Sequence, residues 1–387
     1  MITSPLGYVA VLMLLAAALY AAERVTKWKV WEYLPAIVML YFGVMVLSTL
    51  GVWEKNEATT QAYKALKSAL LPAMIVLLLL QADIRLVMKL GKKLLLAFVL
   101  ASLSIAVGFG VMFALLHSYF PPEAAKAFGA LAGSWMGGTG NMVAVQSALN
   151  LPDSALGYTL LIDSVDYAIW VMLLLALVPF APRFNRFVRA DTRALDEAAA
   201  RIGGRTPLAI RDDVAFFGLL ALSLGVAAVS YALASYLPVN DFFGTTAWVV
   251  VIATLLGIIG ALTPLGRIPQ SGALGQMMLF TLVALIASRA SFAELTEAPL
   301  YVAAGFIVLG VHGALMVFFA KLFKLDLFTV AVASLANIGG VASAPILASA
   351  YSRALIPVGV LMALLGYVVG TFGGLAVAKM LMVIGGG

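Results

Sequence analysis

Ten apolar stretches dominate this chain, at residues 4–22, 33–51, 66–82, 94–117, 155–180, 212–237, 243–262, 271–288, 299–320 and 354–382. Each approaches the roughly 20 residues that an α-helix needs to cross the hydrocarbon of a bilayer. Only 11% of the 387 residues are charged and 63% are hydrophobic, whereas soluble domains carry about 25% charged residues. The sequence is therefore suited to lipid as its solvent. Alternation of polar and apolar residues at period two is absent, which argues for helices and against the strands of a barrel. The first stretch reads as a spanning helix and not a cleaved signal, because no Lys or Arg precedes it. With no cysteine and two histidines, neither disulfides nor a thiolate or histidine metal centre is expected.

Two polar, glycine-rich interruptions break the apolar pattern. The first is Gly133-Ser134-Trp135-Met136-Gly137-Gly138-Thr139-Gly140-Asn141, and the second is Ala336-Asn337-Ile338-Gly339-Gly340-Val341-Ala342-Ser343-Ala344-Pro345. Bare backbone at membrane depth is tolerated only where protein or a wet cavity surrounds it. Matched interruptions in two halves of a chain point to the binding site of a secondary transporter. The Gly-Gly pairs lie 202 residues apart, and Leu71-Pro72-Ala73-Met74 aligns with Leu274-Gly275-Gln276-Met277. An internal repeat follows: residues 1–180 with a hairpin at about 124–147, a basic linker at 181–211, and residues 212–387 with a hairpin at about 328–350.

Charge sets the predicted topology. The linker carries arginines at 183, 186, 189, 193, 201, 205 and 211, and the connection after the third stretch carries Arg85, Lys89, Lys92 and Lys93. Basic connections stay in the cytoplasm. Both of these fall inside only if the Gly-rich stretch between them enters the membrane and returns to the same side. Arms of about 11 residues rise roughly 16 Å, half the hydrocarbon thickness. The predicted fold is an all-α polytopic membrane protein of the bacterial inner membrane, with both termini outside. Two inverted repeats of five transmembrane helices each hold a Gly-rich re-entrant hairpin. Lys55, Lys64 and Lys67 are the exception, lying outside in this arrangement. The run Arg183-Phe184-Asn185-Arg186-Phe187-Val188-Arg189 reads as a surface helix resting on anionic lipid.

At each hairpin the arm after the turn begins in mid-membrane with unpaired N–H groups, a site suited to a carboxylate. Thr139 or Asn141 is expected to cap the first such helix, and Ser343 the second, with Pro345 near its first turn. The candidate substrate-binding residues are Ser134, Gly137, Gly138, Thr139, Gly140, Asn141, Asn337, Gly339, Gly340, Ser343 and Arg353. Close helix packing by small residues is the plainer reading of the glycines. Asp163 and Asp166 follow one turn apart, and a carboxylate inside a span defaults to an ion or proton role. With Gln146 and Ser164 they form the candidate cation site; a structural hydrogen bond to a neighbouring helix is the alternative. Arg353 serves equally as a substrate partner or a positive-inside anchor. Arg289 reads as a snorkelling end residue, and His312 as a packed, hydrogen-bonded histidine.

The motifs Gly-Ser-Trp-x-Gly-Gly-x-x-Asn at 133–141 and Ala-Asn-x-Gly-Gly at 336–340 resemble those of the YjcL-like family of bacterial membrane proteins. That family is the domain-of-unknown-function 819 group, and the resemblance extends over nearly the whole chain. In layout the sequence is more distantly similar to the citrate-type 2-hydroxycarboxylate transporters and the glutamate:sodium symporters. This similarity implies inverted repeats, Na⁺ coupling and an elevator-like movement, with residues 137–141 and 337–343 lining the substrate and cation sites. No arginine stands beside either Gly-Gly pair to clamp a carboxylate.

The resulting expectation is a cation-coupled (Na⁺ or H⁺) secondary transporter of a small polar, anionic organic solute, working by elevator-type alternating access. Alternatives are a sodium/proton antiporter without organic substrate, or an importer of amino acids or short cell-wall peptides. No P-loop, zinc motif or nucleophile elbow occurs, so neither enzymatic chemistry, a cofactor beyond the coupling ion, nor a nucleic-acid partner is expected. The expected partners are the solute, the lipid bilayer and a second copy in a homodimer.

Overall fold

The computed structural model describes residues 1–386 apart from 27, 29, 34, 191–207, 209, 241–243, 291–297 and 353–354. Among the described residues every extended element is helical, save one isolated bridge between Ile2 and Trp53. The principal helices of the first half are α1 (Pro5–Thr26), α2 (Ala36–Thr49), α3 (Glu57–Leu79), α4 (Lys92–Leu116), α5 (Ala124–Gly137), α6 (Thr139–Ala148) and α7 (Leu156–Leu177). A short helix, α8 (Ala181–Val188), opens the linker. The second half holds α9 (Asp212–Ala234), α10 (Thr245–Ala261), α11 (Gln270–Ala287), α12 (Ala298–Phe323), α13 (Leu327–Ile338), α14 (Gly340–Tyr351) and α15 (Ile356–Ile384). Each half thus runs four helices, a broken pair and a final helix.

Local chemistry fixes several of these ends. The Asn56 side chain accepts from the Thr59 N–H at 2.9 Å and starts α3, and Asp326 does the same for Thr329 at 2.9 Å and starts α13. Such caps satisfy N–H groups that a first helical turn leaves unpaired. Among the described residues, eight helices are long and apolar enough to cross a membrane. They coincide with eight of the ten predicted spans. The other two, α2 and α10, have 14 and 17 residues. At 1.5 Å per residue they reach about 21 and 26 Å, short of a ~30 Å hydrocarbon core. The prediction overran because apolar residues continue past the helix ends.

The helices form two cores. One gathers α1–α3 and α9–α11 around Tyr8, Tyr41, Met74, Leu219, Val250 and Leu282. The other gathers α4, α5, α7 and α12–α15 around Phe98, Trp135, Ile162, Val308, Ala331 and Met362. Helix α6 follows the first core through Met142 and Val143. Helices at equal places in the two halves touch: α3 packs on α11, α4 on α12 and α5 on α13.

The tightest junction is α5 against α15. Gly129, Gly133 and Gly137 recur every fourth residue on α5, as do Gly366, Gly370 and Gly374 on α15, so each set lines one helix face. A Cβ on Gly137 would lie 2.4 Å from the Gly366 carbonyl oxygen and 2.8 Å from the Gly370 Cα; one on Gly374 would lie 2.8 Å from the Gly129 oxygen. This is the small-residue contact that substitutes for the missing hydrophobic drive between helices in lipid. The plainer reading of the glycines therefore holds for Gly137, which is a packing residue.

Candidate functional site

Both broken pairs turn at a glycine with positive φ. Gly138, between α5 and α6, has φ 87° and ψ 171°, a region essentially closed to side chains. Gly340, at the start of α14, has φ 59°. Neither second arm carries a side-chain cap, contrary to the roles expected of Thr139, Asn141 and Ser343. Asn141 turns the other way. Its Nδ2 donates to the Gly137 carbonyl at 2.6 Å, closing the end of α5, while its Oδ1 accepts from the Thr371 hydroxyl of α15 at 2.7 Å. Asn337 behaves alike: Nδ2 donates to the Ala333 carbonyl at 2.9 Å, and Oδ1 accepts from Ser102 of α4 at 2.7 Å. Each asparagine thus binds its broken pair to the opposite half of the chain.

The two breaks open onto one cavity of about 200 Å³. Ser134, Gly138, Thr139 and Gly140 line it from the first break, and Ile338 to Val341 from the second. Asp163, Ser164 and Tyr167 of α7 add to this wall, and Tyr367 of α15, whose ring packs with the first core, also lines the cavity. The first core supplies Glu23, Ile37, Leu78, Gln276 and Phe280. The cavity therefore lies between the two cores. Its two acidic side chains, Glu23 and Asp163, face no Lys, Arg or His among the described lining residues. Asp163 accepts from the Ser134 hydroxyl at 3.1 Å, and Glu23 accepts from the Ala36 N–H at 3.0 Å.

Other predicted members lie elsewhere. Asp166 is fully buried, has no hydrogen-bond partner for either oxygen, and sits where a Cβ on Gly305 of α12 would collide with it. It is one turn from the cavity without lining it. Ser164 lines the cavity, but its hydroxyl donates to the Leu160 carbonyl at 2.8 Å. Gln146 is separate from the aspartates; its amide donates to the Leu151 carbonyl and to Asp153 Oδ1, both at 3.0 Å. Asn337 and Gly137 do not line the cavity. Ser343 lies beside Gly339 and Tyr167 without lining it. Arg353 falls outside the described residues. His312 is buried between Ser104, at 2.6 Å from Nδ1, and Ser334, at 2.8 Å from Nε2, the packed histidine that was expected.

Sequence reasoning missed Glu23, Tyr167, Gln276 and Tyr367. Gln276 and Tyr367 are polar groups inside apolar stretches, a signal available from composition alone. Glu23 stood at a helix end and read as part of a connection. A second polar group gathers at Asp153, in the connection that leads into α7. Lys67 of α3 meets its carboxylate at 2.9 Å, the Tyr63 hydroxyl donates to it, and the Tyr41 hydroxyl of α2 donates to its backbone carbonyl at 3.1 Å.

Two comparisons with known proteins match nearly the whole chain. A protein of Bacillus subtilis (strain 168), described as "Uncharacterized membrane protein YjcL", is 25% identical over 382 residues, which cover 95% of this chain and 94% of that protein. The family model described as "Protein of unknown function (DUF819)" matches residues 10–384. The chain, with its multiple apolar helices, is thus a membrane protein belonging to the DUF819 family.

Proposed function

We propose that this protein is a cation-coupled secondary transporter of a small organic solute bearing a carboxylate, moving by an elevator-type displacement of one helical core against the other. The observation that carries the proposal is the cavity into which both helix breaks and Asp163 open. At each break the first N–H groups of the second arm lack intrahelical partners and favour negative charge. The same space holds the carboxylates of Glu23 and Asp163. Packing a solute carboxylate beside them in a poorly screened cavity is unfavourable unless a cation enters as well. That mutual need is the physical basis of coupling. A volume of about 200 Å³ is below the roughly 300–1,000 Å³ of drug-sized pockets, so the solute is small.

The equal order of helices and the pairing of α3 with α11, α4 with α12 and α5 with α13 support inverted repeats about a two-fold axis in the membrane plane. The broken pairs then act as re-entrant hairpins. With the basic connections in the cytoplasm, Glu23, Leu78 and Gln276 belong to the inner halves of their helices, and the cavity faces inward. The contact of Lys67 and Tyr63 with Asp153 then closes the outer side.

The test is thermal stability of the purified protein against carboxylates, amino acids and short peptides, each with and without Na⁺ and at two pH values. A ligand held at 100 times its Kd stabilises by about 2.7 kcal/mol. One solute class should raise Tm only when the coupling cation is present, and Asp163→Asn should abolish the cation's share. The two carboxylates that line the cavity, Glu23 and Asp163, with no basic residue among the described lining residues, favour a second reading, cation/proton exchange without solute. In that case Na⁺ or pH alone shifts Tm through Asp163 and no organic compound adds to it. If neither solute nor cation shifts Tm, both readings fall.

A further inference from the structure

We infer that a groove between α7, α8, α12 and α13 binds one anionic phospholipid from the surrounding bilayer, with an acyl chain in the groove and the headgroup at Arg183. The groove has a volume of about 600 Å³, three times that of the central cavity, and touches none of the central cavity's lining residues. Its walls are apolar: Leu173 and Leu177 of α7, Val317 of α12 and Val330 of α13. The polar groups at its floor are occupied with one another. Ser334 accepts from Trp170 Nε1 at 2.8 Å and pairs with His312 Nε2 at 2.8 Å. A polar solute finds no free partner there, whereas a hydrocarbon chain needs none.

Dimensions point to the same occupant. The groove follows α13 from Leu327 to Ser334 and α7 from Trp170 to Leu177, eight residues each, with about 10 Å between the end residues. Half of a ~30 Å hydrocarbon core is about 15 Å, so the groove takes most of one leaflet's chain. A Cβ on Gly310 would meet nothing within 4 Å, which keeps the groove open at that point.

Charge selects the headgroup. Phe180, Phe184 and Phe187 line the mouth from the segment that ends in α8, and Arg183 sits among them, exposed. Arg186 and Arg189 follow at successive turns, and Lys321 lies 4.4 Å from the Phe187 ring centre. Asp326 at the start of α13 is engaged by its cap on Thr329, and Asn185 of α8 accepts from the Leu327 N–H at 2.9 Å, tying the basic helix to the groove wall. A tail in the groove gains little over bulk lipid, because lipid is as apolar as leucine. Preference for one lipid therefore rests on the arginines, while residence depends on the groove.

Native mass spectrometry of the full chain, purified from membranes with equal phosphatidylglycerol and phosphatidylethanolamine, separates these two contributions. The wild type should retain one phosphatidylglycerol with roughly 25-fold preference, since Arg183 and Arg186 near an anionic headgroup contribute about a factor of five each. Arg183→Gln with Arg186→Gln, both exposed positions, should erase the preference and leave a lipid adduct. Gly310→Phe should remove the adduct with either headgroup. Equal retention of both lipids by the wild type, or an unchanged adduct in Gly310→Phe with the wild-type Tm, overturns the proposal. Circular dichroism and Tm of each variant exclude misfolding as the cause, and Met316→Trp, which narrows the same groove from α12, provides an independent check. None of these readings depends on transport.

Discussion

The two helix breaks look like copies in the sequence, yet the fold uses them differently. The first is held by a glycine face: Gly137 abuts Gly366 and Gly370 so closely that even a methyl group has no room, and Asn141 is bonded on both sides of its amide. The second turns at Gly340 and its Asn337 is bonded in the same way, but its crowded glycine, Gly339, meets side chains, Ser343 and Tyr167, where Gly137 meets the backbone of another helix. One break is packed backbone against backbone and the other backbone against side chains. A side chain can rotate away where a backbone cannot, a difference seen in neither motif alone.

The sharpest way to break this contrast is to add one carbon to each. Gly137→Ala places a Cβ 2.3 Å from Asn141 Nδ2 and 2.4 Å from the Gly366 oxygen, and overpacking of this kind costs about 1–3 kcal/mol or more. Gly339→Ala meets only side-chain atoms, of Ser343, Tyr167 and Leu335, which can shift, so its cost falls at the low end of that range, about 1 kcal/mol. Thermal unfolding should show the larger loss for Gly137→Ala; equal losses would mean that the glycine face is not closely packed.

The asparagines give the next largest effect. Asn141→Ala leaves the buried Thr371 hydroxyl without its acceptor, a loss of about 1–3 kcal/mol that Thr371→Val should partly recover in the double variant. Asn337→Ala should cost less, because Ser102 also donates to the Phe98 carbonyl at 3.2 Å. A double-variant cycle with no coupling between Asn141 and Thr371 would remove the pin from the first break. The smallest effect concerns the Asp153 contact. Its ion pair with Lys67 has side-chain exposures of 22% and 17%, so Lys67→Met should lower stability by less than about 1 kcal/mol. If the contact closes the outer side, that variant should nonetheless increase labelling of a cysteine introduced at Asn150, in a chain with no cysteine of its own.

Much of the helical order was legible because hydropathy reports burial in lipid directly, and eight of ten predicted spans correspond to helices of sufficient length. The broken pairs at 124–148 and 327–351 also fall where glycine and asparagine interrupt apolar runs. The site was less legible. Thr139 and Gly140 line the cavity as expected, whereas Gly137, one residue before Gly138, faces another helix. A helix rotates 100° per residue, so neighbours in a motif point to different surroundings. Gln146 and Asp163 share a polar character but not a location, since the chain turns between them and Gln146 is drawn to Asp153.

By itself, the sequence determined that this chain lives in a membrane as helices, where the apolar runs break, and which intramembrane groups are costly enough to need a reason. Those properties follow from transfer between water and lipid, which acts on each segment alone. Only the tertiary structure decided that both breaks share a cavity, that Asp163 faces it while Asp166 stands against Gly305, and that the asparagines join opposite halves. In lipid, helices are chosen as neighbours by close fit and by hydrogen bonds between distant residues, and such pairings, 230 positions apart for Asn141 and Thr371, leave no trace in local pattern.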